Sequence, residues 1–67
     1  MGIKNFLNKQ GFKVMEDNEF ASEFCSFVFI DDGSFEIANN NGGLTYYGSD
    51  IFLAKQEVLR LKKINGF

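Results

Sequence analysis

Histidine is absent from this 67-residue chain, cysteine occurs once, at Cys25, and between Lys13 and Lys55 there is no basic residue. Each absence excludes something. Without an imidazole, Cys25 and the serines Ser22, Ser26, Ser34 and Ser49 lack a side-chain base, and a cysteine within an apolar run reads as a small buried hydrophobe. Transition-metal centres need clustered Cys and His, so only oxygen-seeking cations such as Ca²⁺ are left. A single cysteine cannot close an intramolecular disulfide, which argues against a secretory scaffold and for a reducing cytoplasm. The longest uninterrupted apolar runs, Phe27 to Ile30 and Ile51 to Ala54, fall far short of the roughly 20 residues that cross a bilayer. The opening Met1-Gly2-Ile3-Lys4-Asn5-Phe6 has the glycine of a myristoylation site but Phe6 where Ser or Thr is required, and no signal-peptide core follows. The expectation is a cytoplasmic protein with no cofactor, no membrane segment and no enzymatic turnover.

What is present is apolar and aromatic. Hydrophobic residues make up 45% and phenylalanine alone occurs nine times, enough side-chain area to offset the entropy of ordering. Residues 1–67 make a single domain, because a chain of this length has no room for two cores. Domains below about 70 to 80 residues commonly add a disulfide, a metal or a second subunit, and the first two are missing here. That favours a homodimer or a hetero-complex.

The spacing predicts an α+β fold: a short N-terminal helix, an antiparallel meander of three or four strands, and a C-terminal helix packed on the sheet. Ile3, Phe6 and Leu7 fall at i, i+3, i+4, with Gly11 to end the helix in a left-handed cap, and Phe12 to Met15 suits a first strand. Asp32-Gly33 and Asn41-Gly42 read as two-residue type I′ hairpin loops. With Asp32-Gly33 as such a loop, Ile30 faces Phe35 and Val28 faces Ile37, so Phe24, Ser26, Val28, Ile30, Phe35 and Ile37 share one sheet face. Cys25, Phe27, Phe29, Glu36 and Ala38 then share the other, and a two-residue second loop adds Tyr47 to them. Gly43 permits a longer second loop, which would exchange Tyr46 and Tyr47 between faces. Ser49 or Asp50 caps a last helix from about Ile51 to Ile64, stopped by Asn65-Gly66. Ile51, Ala54, Val58 and Leu61 form its core stripe, while Phe52 and Leu59 form a second line beyond Lys55 and Lys62.

Two sheet faces rich in Phe and Tyr need two covers, and the short helix covers only part of one. An uncovered aromatic face, Phe27, Phe29 and Tyr47, or the Phe52 and Leu59 line, is therefore the expected partner-binding surface. Charge adds direction. Lys4, Lys9 and Lys13 precede a middle that holds Glu16, Asp17, Glu19, Glu23, Asp31, Asp32, Glu36 and Asp50, and Lys55, Arg60, Lys62 and Lys63 follow. An acidic sheet repels phosphates, so neither DNA nor RNA is an expected ligand, and the rim of Asp31, Asp32 and Glu36 selects a basic protein. The run Asp-Asp-Gly-Ser-Phe-Glu lacks the alternating spacing of a helix-loop-helix calcium loop, and paired aspartates are ordinary turn chemistry. Three functional readings follow: a protein-binding module, of the character of an inhibitor made by a phage or mobile element; an acidic DNA mimic, for which a net charge of −2 is small; and a self-assembling structural subunit.

Overall fold

Seven elements follow one another along residues 2–67, the part of the chain that the computed structural model describes. They are α1 (Ile3–Lys9), β1 (Lys13–Glu16), β2 (Glu19–Ala21), β3 (Cys25–Phe29), β4 (Phe35–Asn39), β5 (Leu44–Gly48) and α2 (Ile51–Ile64). The strands form one antiparallel meander in chain order. The α+β class is the expected one, with two flanking helices. The meander has five strands, because Glu19–Ala21 is too short to announce itself by alternation.

Both helices end in the same way, and their ends meet. Gly11 sits at φ +93°, its N–H bonds to the Asn8 carbonyl and that of Phe12 to the Leu7 carbonyl, at 3.1 and 3.0 Å. Gly66 sits at φ +83°, with Gly66 bonded to Lys63 and Phe67 to Lys62, again at 3.1 and 3.0 Å. This is the Schellman arrangement, in which a left-handed glycine lets two orphan carbonyls be satisfied and throws the next residue back over the helix. In each helix that next residue is a phenylalanine. Phe12 packs edge-on against Phe24 at 5.4 Å between centroids, and Phe67 packs on Phe24 at 5.7 Å.

The two loops with Gly33 and Gly42 depart from the expected type I′ geometry. Gly33 N–H bonds to the Ile30 carbonyl and Ile30 N–H to the Ser34 carbonyl, so the loop is Asp31-Asp32-Gly33. No non-glycine residue among those described has positive φ, which excludes types I′, II and II′ at Asp31-Asp32 and leaves a type I turn closed by Gly33 at φ +91°. The extra loop residue slips the pairing by one. Phe29 faces Phe35, Val28 faces Glu36 and Phe27 faces Ile37. The predicted division of the sheet is thereby inverted for β3: Phe27 and Phe29 share a face with Phe35 and Ile37, while Ser26 and Val28 lie on the other.

The second hairpin makes the same turn, Gly42 N–H to Asn39 carbonyl with Gly42 at φ +87°, and then undoes its effect. Between Ala38 opposite Leu44 and Ile37 opposite Tyr46, an irregularity places one extra residue, Thr45, on β5. Tyr46 therefore joins Ile37, and Tyr47 stands opposite Glu36 on the far face, away from Phe27 and Phe29.

One face of the sheet carries the core. Leu7, Phe27, Ile37, Val58, Leu61 and Cys25 are the largest fully buried side chains, and Ile3, Phe12, Phe20, Phe24 and Ala54 complete the cluster. Since α1 and α2 both supply residues to this one cluster, both helices lie on the same side. The expectation that the short helix shields the second face is not met. That outer face consists, by register, of a rank Lys13, Ala21, Ser26, Ala38, Leu44 and a rank Glu16, Glu19, Val28, Glu36, Tyr47. It is small and acidic, with one exposed aromatic.

Candidate protein-docking surface

α2 begins where Asp50 accepts hydrogen bonds from the N–H groups of Phe52 and Leu53 at 2.9 and 3.1 Å. Tyr46 steadies that cap: its hydroxyl donates to the Asp50 carbonyl and accepts from the Asp50 N–H. From there Ala54, Val58 and Leu61 turn inward. At about 100° per residue, Phe52 points almost directly away from those three, with Gln56 and Lys63 beside it, and Leu59 stands on the same side turned toward Lys55. Phe52 is 74% exposed and Leu59 45% exposed. The flank facing α1 is taken by Lys55, whose ammonium lies 5.5 Å over the Phe6 ring, and by Lys62, which donates to Gln10 Oε1 at 3.0 Å. α1 therefore seals the Lys55 and Lys62 side and leaves the Phe52 and Leu59 line open. The line is where the heptad spacing put it; Leu53 and Ile64, also exposed on the solvent half, were not singled out.

The other predicted contact residues separate. Phe27 is 0% exposed, in ring contact with Phe29 and Phe35 at 5.2 and 5.5 Å, and belongs to the core. Phe29 is half-buried against Phe20 and Phe35 on the same side. Tyr47 is 56% exposed on the opposite face. An uncovered sheet face bearing all three does not exist, because the register slip in the first hairpin moved two of them under the helices.

Carboxylates gather at one end of the molecule. In a meander alternate turns lie at the same end, so the Asp17-Asn18 turn, the Asp31-Asp32-Gly33 turn and the Asp50 cap at the start of α2 are neighbours in that sense. Glu16, Asp17 and Glu19, with Asn18 and Val28, line an open depression of about 470 Å³ there. The Ser34 hydroxyl and N–H hold the Asp32 carboxyl below its ordinary value, so it is ionised across the neutral range. Lys4 is the cation at this end, its ammonium 5.6 Å over Phe29. Lys62 and Lys63 stand at the far end of α2, where they complement its C-terminal dipole.

Cys25 is fully buried, and burial pushes its thiol up to about 11, with the Ser22 hydroxyl opposing and Glu57 adding to the rise. Ser22 itself is spent on the turn, accepting from the N–H groups of Phe24 and Cys25 and donating to the Cys25 carbonyl. Glu57 is held down chiefly by its paired hydrogen bonds from Arg60, at 2.9 and 2.5 Å. Among the described residues no group of three His, Cys, Asp or Glu is arranged to hold a metal, and no helix is long and apolar enough to cross a membrane. No family model, curated protein or solved structure matches the chain.

Proposed function

We propose that this protein is a non-catalytic protein-binding module that docks a partner through the outward line of α2, with Phe52 as the anchor and Leu59 one heptad on. The observation that carries this reading is Phe52, a phenylalanine 74% exposed two residues from the Asp50 cap, at the end of the molecule where the carboxylates collect. Interface anchors are typically aromatic and sit among charges that choose the partner, so an apolar line beside an acidic end suits a protein with a basic surface around an apolar pocket. Asp31 and Asp32 at the exposed turn and Glu36 on the outer face act mainly on approach, through the on-rate. Such a module works by occupying a surface of its partner, as an inhibitor does.

The experiment compares proteins retained by the immobilised wild type with those retained by a Phe52→Glu, Leu59→Glu variant, after circular dichroism shows both to be folded. A basic partner held by the wild type and lost with the variant is the expected result. Identical retention by both assigns binding elsewhere and refutes the reading. A second reading uses the same line: an isologous dimer that buries Phe52 and Leu59 against their copies. Sedimentation at tens of micromolar distinguishes it, since a wild-type dimer that Phe52→Glu makes monomeric gives the line to a second copy.

A further inference from the structure

Where α1 and α2 meet over the core, a cavity of about 180 Å³ opens between them, lined by Gly2, Asn5, Phe6, Lys9 and Lys55. It is smaller and more enclosed than the depression beside Glu16 and Asp17, and its walls are largely apolar. The apolar groups it can draw on are the Phe6 ring and the methylene stems of the two lysines.

Its charge is of one sign. Lys9 and Lys55 bring two ammonium groups, and no lining residue brings a carboxylate. Among the described residues the one salt bridge joins Glu57 to Arg60. α1 contains no carboxylate, and Glu57, the single one within α2, lies on the flank that faces Thr45. Asp50, at the start of α2, turns its carboxylate to the N–H groups of Phe52 and Leu53. Lys62, further along the seam between the helices, is spent on Gln10 Oε1 at 3.0 Å. Lys55 has the Phe6 ring instead, 5.5 Å from its ammonium, and Phe6 is itself packed on the core. The ring steadies that ammonium without neutralising it.

Two like charges around one cavity raise its potential, and an anion seated between them lowers it. The volume limits what the anion carries. A closed apolar cavity of about 150 Å³ takes a benzene ring and pockets for drug-sized ligands begin near about 300 Å³, so about 180 Å³ holds one ring and one acid group.

We propose that the cavity between α1 and α2 binds a small monocyclic aromatic carboxylate, its ring against Phe6 and its carboxylate between the Lys9 and Lys55 ammonium groups. The ring supplies affinity by leaving water, and the two lysines reject cations. The site is separate from the outward line of α2 and stands whether or not that line docks a partner.

The test titrates the full chain, labelled with ¹⁵N, with benzoate, acetate and benzylamine. Benzoate is expected to shift the amides of Phe6, Lys9 and Lys55, with acetate weaker by roughly tenfold for want of the ring and benzylamine giving no saturable shift. Lys9→Gln and Lys55→Gln should each weaken benzoate by roughly tenfold, as the loss of a charge-assisted hydrogen bond implies. Lys63→Gln removes the same charge outside the cavity and should leave benzoate binding unchanged. No shift at these amides with tens of millimolar benzoate overturns the proposal, and so does equal binding of acetate or benzylamine. An equal loss with Lys63→Gln also overturns it, since the attraction then belongs to the general charge of the helices.

Discussion

Phe27 and Val28 are adjacent in sequence and on opposite faces, so truncating each in turn tests the register of the first hairpin directly. Phe27 is fully buried and touches the rings of Phe29 and Phe35, whereas Val28 lies on the uncovered face between Glu19 and Glu36. Removing a buried phenylalanine side chain costs about 3 to 5 kcal/mol in transfer and cavity terms, and each lost ring pair is worth about 0.5 to 1.5 kcal/mol within that range of effects. For 67 residues the whole stability is of order 3 to 10 kcal/mol at roughly 0.05 to 0.15 kcal/mol per residue. Phe27→Ala should therefore remove roughly a third or more of that stability, and the gentler Phe27→Leu should cost roughly 1 to 2 kcal/mol. Val28→Ala should cost less than about 1 kcal/mol. Urea titrations followed by far-ultraviolet circular dichroism give the three midpoints. A two-residue type I′ loop would bring Val28 opposite Ile37 and turn Phe27 outward, so the order of costs would reverse. Val28→Ala costing more than Phe27→Leu would refute the three-residue loop and everything placed by it.

Asp50→Ala removes the acceptor for the N–H groups of Phe52 and Leu53 and should cost about 1 kcal/mol, within the usual range of about 0.5 to 2, with Asp50→Asn retaining most of it. Faster hydrogen exchange at Phe52 and Leu53 should accompany the loss, and unchanged exchange there would refute the cap. Burial raises the Cys25 thiol from 9.0 to about 11, so the folded state holds the proton longer than the unfolded one. Its contribution is complete below about pH 9 and is lost as pH rises to about 11, by roughly 2 to 3 kcal/mol relative to Cys25→Ala measured alongside. Parallel stability curves for the two proteins over that window would show that the thiol is not buried.

Helix boundaries were legible because their signals are chemical and local. Asp50, Asn65-Gly66 and Gly11 act at the residue where they stand, and α2 spans Ile51–Ile64 as its caps imply. Strand register was not legible, because an Asp-Gly or Asn-Gly pair serves both a two-residue type I′ loop and a three-residue loop closed by glycine. The two differ by one residue, and with a period of two that one residue decides which aromatics are buried. In the second hairpin the longer loop and the extra Thr45 cancel, so Tyr47 does oppose Glu36; in the first nothing cancels, and Phe27 and Phe29 change sides. The end-to-end order of the charges is independent of register. Its position depends on strand direction and chain order, not on which face a side chain takes. The Asp17 and Asp31-Asp32 turns are two strands apart and must lie at one end of a meander. α2 starts from that same end because it follows an odd-numbered strand, and its run of fourteen residues carries Lys62 and Lys63 away from the carboxylates. Chain order thus puts the Asp17, Asp31-Asp32 and Asp50 carboxylates at one end, with Lys4 among them, and Lys62 and Lys63 at the other for any register, whereas the face that Glu36 takes relative to Phe27 and Phe29 does depend on the first hairpin.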